Sequence, residues 1–252
     1  MAVIYQLNIV QLAYLFLSTK ISAAPQGFPR IKKVKKHTHF YLLSLKKIDL
    51  TMLDTRNVTN MRAMFSACSG LADLDLTPID TSKVINMRFM FDGCSGLTSL
   101  NLTNLDTKNV TNMDCMFRGC SGLTALDLSH LDTRNVTSMT SMFYDCSGLT
   151  TLDLSSLNTQ KVMDMGYMFS GCTSLTTLNL SFLDTQKVTG MSRMFDDCDK
   201  LTSLSLGEKF AFVGSNYYLS EGTWYASDGT AYTSNGKSCT IPNNKADTYT
   251  RR

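Results

Sequence analysis

The sequence is poor in histidine and tryptophan, with three and one respectively in 252 residues. His37 and His39 lie in a basic stretch near the N-terminus, and His130 stands alone. That leaves little material for chemistry that moves protons through imidazole. No Cys-x-x-Cys pair occurs and the histidines are remote from the cysteines, so the usual zinc spacings are missing. A phosphate-cradling glycine loop and a recognisable nucleophile–base–acid set are also missing. These absences argue against an enzyme, and neither a metal nor any other cofactor is expected. Acidic residues are absent from residues 1–47, which carry eight Lys and Arg. The other 205 residues carry 16 basic and 21 acidic side chains, a balance of −5. A chain so uneven is not a uniformly basic nucleic-acid binder, and no nucleic-acid partner is expected. With 43% hydrophobic and 18% charged residues, wholesale disorder is excluded.

What is abundant is periodic. Cysteines fall at Cys68, Cys94, Cys120, Cys146, Cys172 and Cys198, each 26 residues after the last. Phe65, Phe91, Phe117, Phe143, Phe169 and Phe195 keep the same step, as does the valine column from Val58 to Val188. Two methionine columns, Met61 to Met191 and Met64 to Met194, hold 12 of the 15 methionines. Six units therefore span residues 48–203 without insertion or deletion. A repeat of this length signals a supersecondary unit that buries its apolar face only by stacking on its neighbours.

Each unit reads as one strand and one helix. Leu126-Asp127-Leu128-Ser129 alternates like a half-buried strand. Asp132-Thr133 stands where a helix N-cap is expected, and Val136, Met139 and Phe143 then mark one helical face at i, i+3 and i+7. Ser147-Gly148 reads as the stop. The expectation is an α/β repeat solenoid, with one short parallel strand and one short helix per 26-residue coil. Its core is set by Val58, Met61, Phe65, Cys68 and their equivalents in the later units.

At Met142-Phe143…Cys146…Leu149…Leu152…Leu154 and Asp132-Thr133…Val136…Met139 the chain resembles the BspA-like group of bacterial leucine-rich-repeat surface proteins and the bacterial surface 26-residue repeat. The resemblance implies a leucine-rich-repeat-like solenoid, secreted or on a bacterial surface, engaged in adhesion or host contact. The partner it implies is an unknown protein or glycan on a host or neighbouring cell. In one respect the chain departs from the common leucine-rich repeat. Its internal asparagine is replaced by Leu53, Ile79 or Leu105, so an asparagine ladder is not expected.

The ends differ from the middle. Residues 1–24 contain Leu12-Ala13-Tyr14-Leu15-Phe16-Leu17 and close on Ser22-Ala23-Ala24, the outline of an atypical signal peptide. The competing reading is a misplaced start, because Tyr41–Leu45 aligns with the end of a unit. The stretch is too polar for a stable membrane span. Residues 25–47 hold the basic run Arg30–Lys36 and a degenerate first coil. After the repeats, residues 204–252 read as a cap in which Phe210 and Phe212 close the last coil and Asp228-Gly229 turns a hairpin.

Three sets of residues are candidates for function. Asp49, Asp75, Asn101, Asp127, Asp153 and Asn179 form a polar column on the strand face away from the core, a candidate binding strip. Cys115 and Cys239 stand outside the cysteine column and are the thiols open to reaction. Two columns vary while the core holds: Met52, Pro78, Asn104, His130, Ser156, Phe182 and Ala63, Phe89, Cys115, Ser141, Tyr167, Arg193. A scaffold displaying a variable surface would show this pattern. A structural spacer within a larger surface protein is the alternative.

Overall fold

A computed structural model describes residues 46–252 apart from Met52. The signal-like stretch, the basic run Arg30–Lys36 and the partial unit at Tyr41–Leu45 lie outside the described residues. Within them, the six units stack in register. The phenylalanine rings of successive coils lie 5.6–6.2 Å apart, centre to centre, with planes within 20° of parallel. Parallel planes at that separation are offset-stacked, a favoured aromatic arrangement. Both methionine columns, the cysteine column and the leucines of the units, apart from the partly covered Leu53, are buried around this stack. The valines are buried too, except Val58 of the first unit, which is only partly covered and packs against the core.

The expected helix is not there. No residue among those described is helical. The segment that carries Val, Met and Phe is instead a run of turns whose amides alternate between two uses. Those of Met64, Ser66 and Cys68 donate backwards within the coil, to the carbonyls of Met61, Ala63 and Phe65. Those of Met61, Ala63, Phe65 and Ala67 donate to Asn86, Arg88, Met90 and Asp92 of the next coil. Every later unit through the fifth repeats this ladder. A helix spends all its interior amides on itself, whereas exact 26-residue stacking offers a neighbouring carbonyl to every second one. The alternation is made by two left-handed residues per unit. Ala63, Phe89, Cys115, Ser141, Tyr167 and Arg193 have φ of 54–60°, and Ala67, Gly93, Gly119, Asp145, Gly171 and Asp197 have φ of 55–75°. A right-handed helix admits neither.

The strand is also rarer than expected. Within the stack, regular strands form only at its C-terminal end: β1 (Thr177–Leu180) opens the sixth unit and β2 (Ser203–Leu206) follows it, and the two pair in parallel. Beside the amide ladder, single parallel bridges join all six units in turn, from Asn60 through Asn86, Asn112, Ser138 and Asp164 to Gly190.

Beyond β2 the cap adds β3 (Gly222–Tyr225), β4 (Ala231–Ser234) and β5 (Asp247–Arg251). The sheet order is β1-β2-β5-β3-β4. β3 and β4 form the Asp228-Gly229 hairpin, with Trp224 opposite Tyr232 and Gly229 at φ +82°. The C-terminal β5 runs antiparallel between β2 and β3 and covers the free edge of the parallel pair. The cap also continues the stack. Arg193 and Phe195 donate their amides to Asn216 and Tyr217, and the Phe212 ring packs edge-on to Phe195 at 6.4 Å.

Candidate binding face

Each unit turns on side-chain oxygens at two places. The strip Asp49, Asp75, Asn101, Asp127, Asp153 and Asn179 is exposed along its whole length, and the stacking does bring these residues into one column. Every member accepts the backbone amide two residues on, at 2.8–3.0 Å. This local bond is the Asx-turn pattern of side-chain capping. Asp49 and Asp75 are held below the usual carboxylate range chiefly by the threonine hydroxyl two residues on and then by this amide, and Asp127 and Asp153 chiefly by the amide and then by the serine hydroxyl. The column therefore has a structural role in its own turn. Asp54, Asp80, Asp106, Asp132, Asn158 and Asp184 do the same at the second place, so they cap turns and not helices.

The neighbouring threonines have a use that an N-cap reading hides. Thr55, Thr81, Thr107, Thr133, Thr159 and Thr185 are buried. The Thr133 hydroxyl donates to the Asn158 carbonyl at 3.0 Å and accepts the Asn158 amide at 2.7 Å. Thr55, Thr107 and Thr159 make the same pair of bonds to the next coil, and Thr185 makes it to Ala211 of the cap. A hydroxyl both donates and accepts, so one threonine stitches two backbone groups of its neighbour. The chain has a threonine ladder where the common leucine-rich repeat has asparagine.

The cysteine column is free, buried and inward-facing. Each thiol from Cys94 to Cys198 donates to the carbonyl of the phenylalanine 29 residues earlier, at 3.0–3.2 Å. Burial pushes Cys68 and Cys198 up to about 12 and raises the others further. Cys115 and Cys239, expected to be the reactive pair, are also raised by burial. Cys115 is itself buried, and Cys239 lies half-buried against the Tyr217 hydroxyl, 3.4 Å away. A thiol needs a lowered pKa to act as a nucleophile, and neither has one. Among the described residues no group of His, Cys, Asp and Glu is arranged to hold a metal.

The arrangement with most chemistry at the surface surrounds the variable left-handed column. The Phe89 ring carries three guanidinium groups, with Arg62, Arg88 and Arg118 at 5.5, 4.8 and 5.2 Å from its centre. Further along, Tyr144 and Tyr167 meet at 6.2 Å, and Arg193 lies 4.9 Å over Tyr218. Arginine and tyrosine are residue types that carry binding energy at protein interfaces. The Phe89 cluster has a legible cause, because Arg62 and Arg88 are 26 residues apart and stacking must bring them together.

A comparison with protein-family models matches this chain twice, over residues 35–147 and 116–209, to the family described as "Mycoplasma protein of unknown function, DUF285". The chain belongs to this family. The two DUF285 matches overlap across residues 116–147, as tandem copies of one pattern do, and together take in all six units. The hairpin and β5 lie beyond the DUF285 match. No curated protein matches the chain, and no solved structure does. No helix among the described residues is long and apolar enough to cross a membrane.

Proposed function

We propose that this DUF285 protein is a non-enzymatic binding protein, secreted or displayed on a bacterial surface, whose stacked units hold a protein or glycan of a host or neighbouring cell. The observation that carries the reading is the left-handed column. Its backbone is fixed in all six units by the same amide ladder, yet its side chains are Ala63, Phe89, Cys115, Ser141, Tyr167 and Arg193. None is glycine, the residue that conformation favours. A repeat that keeps its backbone and varies what it displays behaves as a scaffold for recognition. The likeness of the M-F-x-x-C and D-T-x-x-V-x-x-M signatures to leucine-rich-repeat surface proteins supports the same reading. Fractionating cells, sequencing the N-terminus of the native protein and measuring adhesion of the purified chain to cells tests it. Recovery from the surface or medium together with adhesion supports the proposal. Cytoplasmic recovery overturns it, and surface recovery without any capture favours a spacer.

A further inference from the structure

We infer that Arg62 and Arg88, held against the Phe89 ring, form a docking site for an acidic segment of a partner protein, whose carboxylates sit on the two guanidinium groups. The inference rests on the scaffold reading and names the class of partner. Of the three arginines around Phe89, Arg118 is already committed. Its Nε and one terminal nitrogen donate to the two oxygens of Asp92 at 2.6 and 3.0 Å. Arg88 is held only by a long ion pair: its buried Nε stands 3.7 Å from Asp114 without a hydrogen bond, so a partner can meet only its terminal nitrogens. Asp114 has no need of it, because the Ser138 hydroxyl, the Thr140 amide and the Asn112 side-chain amide already donate to that carboxylate. Arg62 is exposed, and among the described residues its guanidinium meets no carboxylate. Residues 1–48 contain no acidic side chain.

The terminal nitrogens of two planar guanidinium groups match carboxylates, which accept such paired donors in bidentate fashion. Their placement favours a peptide. Arg62 and Arg88 belong to neighbouring coils, and the adjoining Phe65 and Phe91 rings are 5.6 Å apart. Same-side residues of an extended strand repeat about every 6.6 Å, so acidic residues at i and i+2 present carboxylates at nearly the spacing of the coils. Phe89, half-buried beneath the guanidinium groups, holds both in place through cation–π contact.

The test titrates the full-length protein against a fluorescent peptide carrying glutamate at alternate positions, and against heparin. Arg62→Gln and Arg88→Gln are each expected to weaken peptide binding roughly tenfold, and the double variant more. Lysine at either position restores only part, because it keeps the charge and loses the fork. Arg62 is exposed and free of structural bonds through its side chain, so Arg62→Gln alone decides if Arg88→Gln fails to fold. Unchanged binding in Arg62→Gln overturns the inference. So does binding abolished instead by neutralising Arg30–Lys36, or capture of heparin but not of the peptide. Adhesion of the wild-type chain to cells separates the two readings. Adhesion that survives Arg62→Gln sinks the docking site and leaves the scaffold, while absence of adhesion sinks the scaffold.

Discussion

Cys115 and Phe117 lie two residues apart in one coil, and their columns behave in opposite ways. Both donate backbone amides to the following coil, at 2.9 and 3.0 Å. The Phe117 column is one residue repeated six times, and the Cys115 column is six different residues. The backbone makes the same bond in both columns, so the ladder does not choose the side chain. Packing does. Phe117 is flanked by Phe91 and Phe143 at 5.7 and 5.8 Å and has no room to change. The left-handed column is mostly half-buried or exposed and keeps residues that its φ disfavours, at a cost of about 1–2 kcal/mol each. The interior sets the architecture, and the outside is free for recognition.

The sharpest way to break this contrast is to open the phenylalanine stack. Phe117→Ala is expected to cost about 3–5 kcal/mol in urea denaturation of the full chain, since it leaves a cavity between two rings. Thr133→Val tests the ladder beside it. It removes the hydroxyl that serves both the amide and the carbonyl of Asn158, and a loss of about 1–3 kcal/mol is expected by the same assay. At the left-handed positions the sign should reverse with the residue. Gly119→Ala, at φ +69°, is expected to destabilise by about 1 kcal/mol. Ser141→Gly, at φ 56°, should be neutral or stabilising by up to about 1 kcal/mol. Thiol labelling of the folded protein should modify Cys239 first and leave the buried column unreacted until the chain unfolds.

The smallest effect is that of pH. The Arg56 side chain and amide hold Asp54 at about 2 against an ordinary value of 3.8. Asp49, Asp75, Asp80, Asp127, Asp132 and Asp153 are lowered as well by the donors two residues on. A carboxyl lowered in the folded state adds stability that is present above its unfolded value and lost as pH falls through its folded value. Thermal melts should therefore hold near neutral pH and decline between about pH 4 and about pH 2. The decline should be shallow, because Asn101, Asn158 and Asn179 make the same turn without charge. Asp127→Asn is expected to melt close to the wild type.

The periodicity makes the core legible. Every Phe, Met and Cys column from the second unit on is buried, because side chains 26 residues apart must share a position in the stack. The hairpin is legible too, since Asp-Gly supplies the positive φ at Gly229. The run of turns in place of a helix is not, because apolar residues at i, i+3 and i+7 serve a helix and a run of turns equally well. Only the amide partners separate the two, and these sit in another coil. Asp-Thr conceals the threonine ladder for the same reason. β5 is hidden because Asp247-Thr248-Tyr249-Thr250-Arg251 carries one buried residue, Tyr249, and no apolar period. The Phe89 cluster leaves a faint signal in the sequence, arginine at both 62 and 88 in one column.

The most direct test of the turn-stack account is the far-ultraviolet circular dichroism of the purified full-length protein. The account predicts a spectrum dominated by turn and β contributions, without the helical double minimum that one helix in each of six units would produce. A strong helical double minimum of that size would contradict the alternating amide ladder and return the chain to an α/β solenoid.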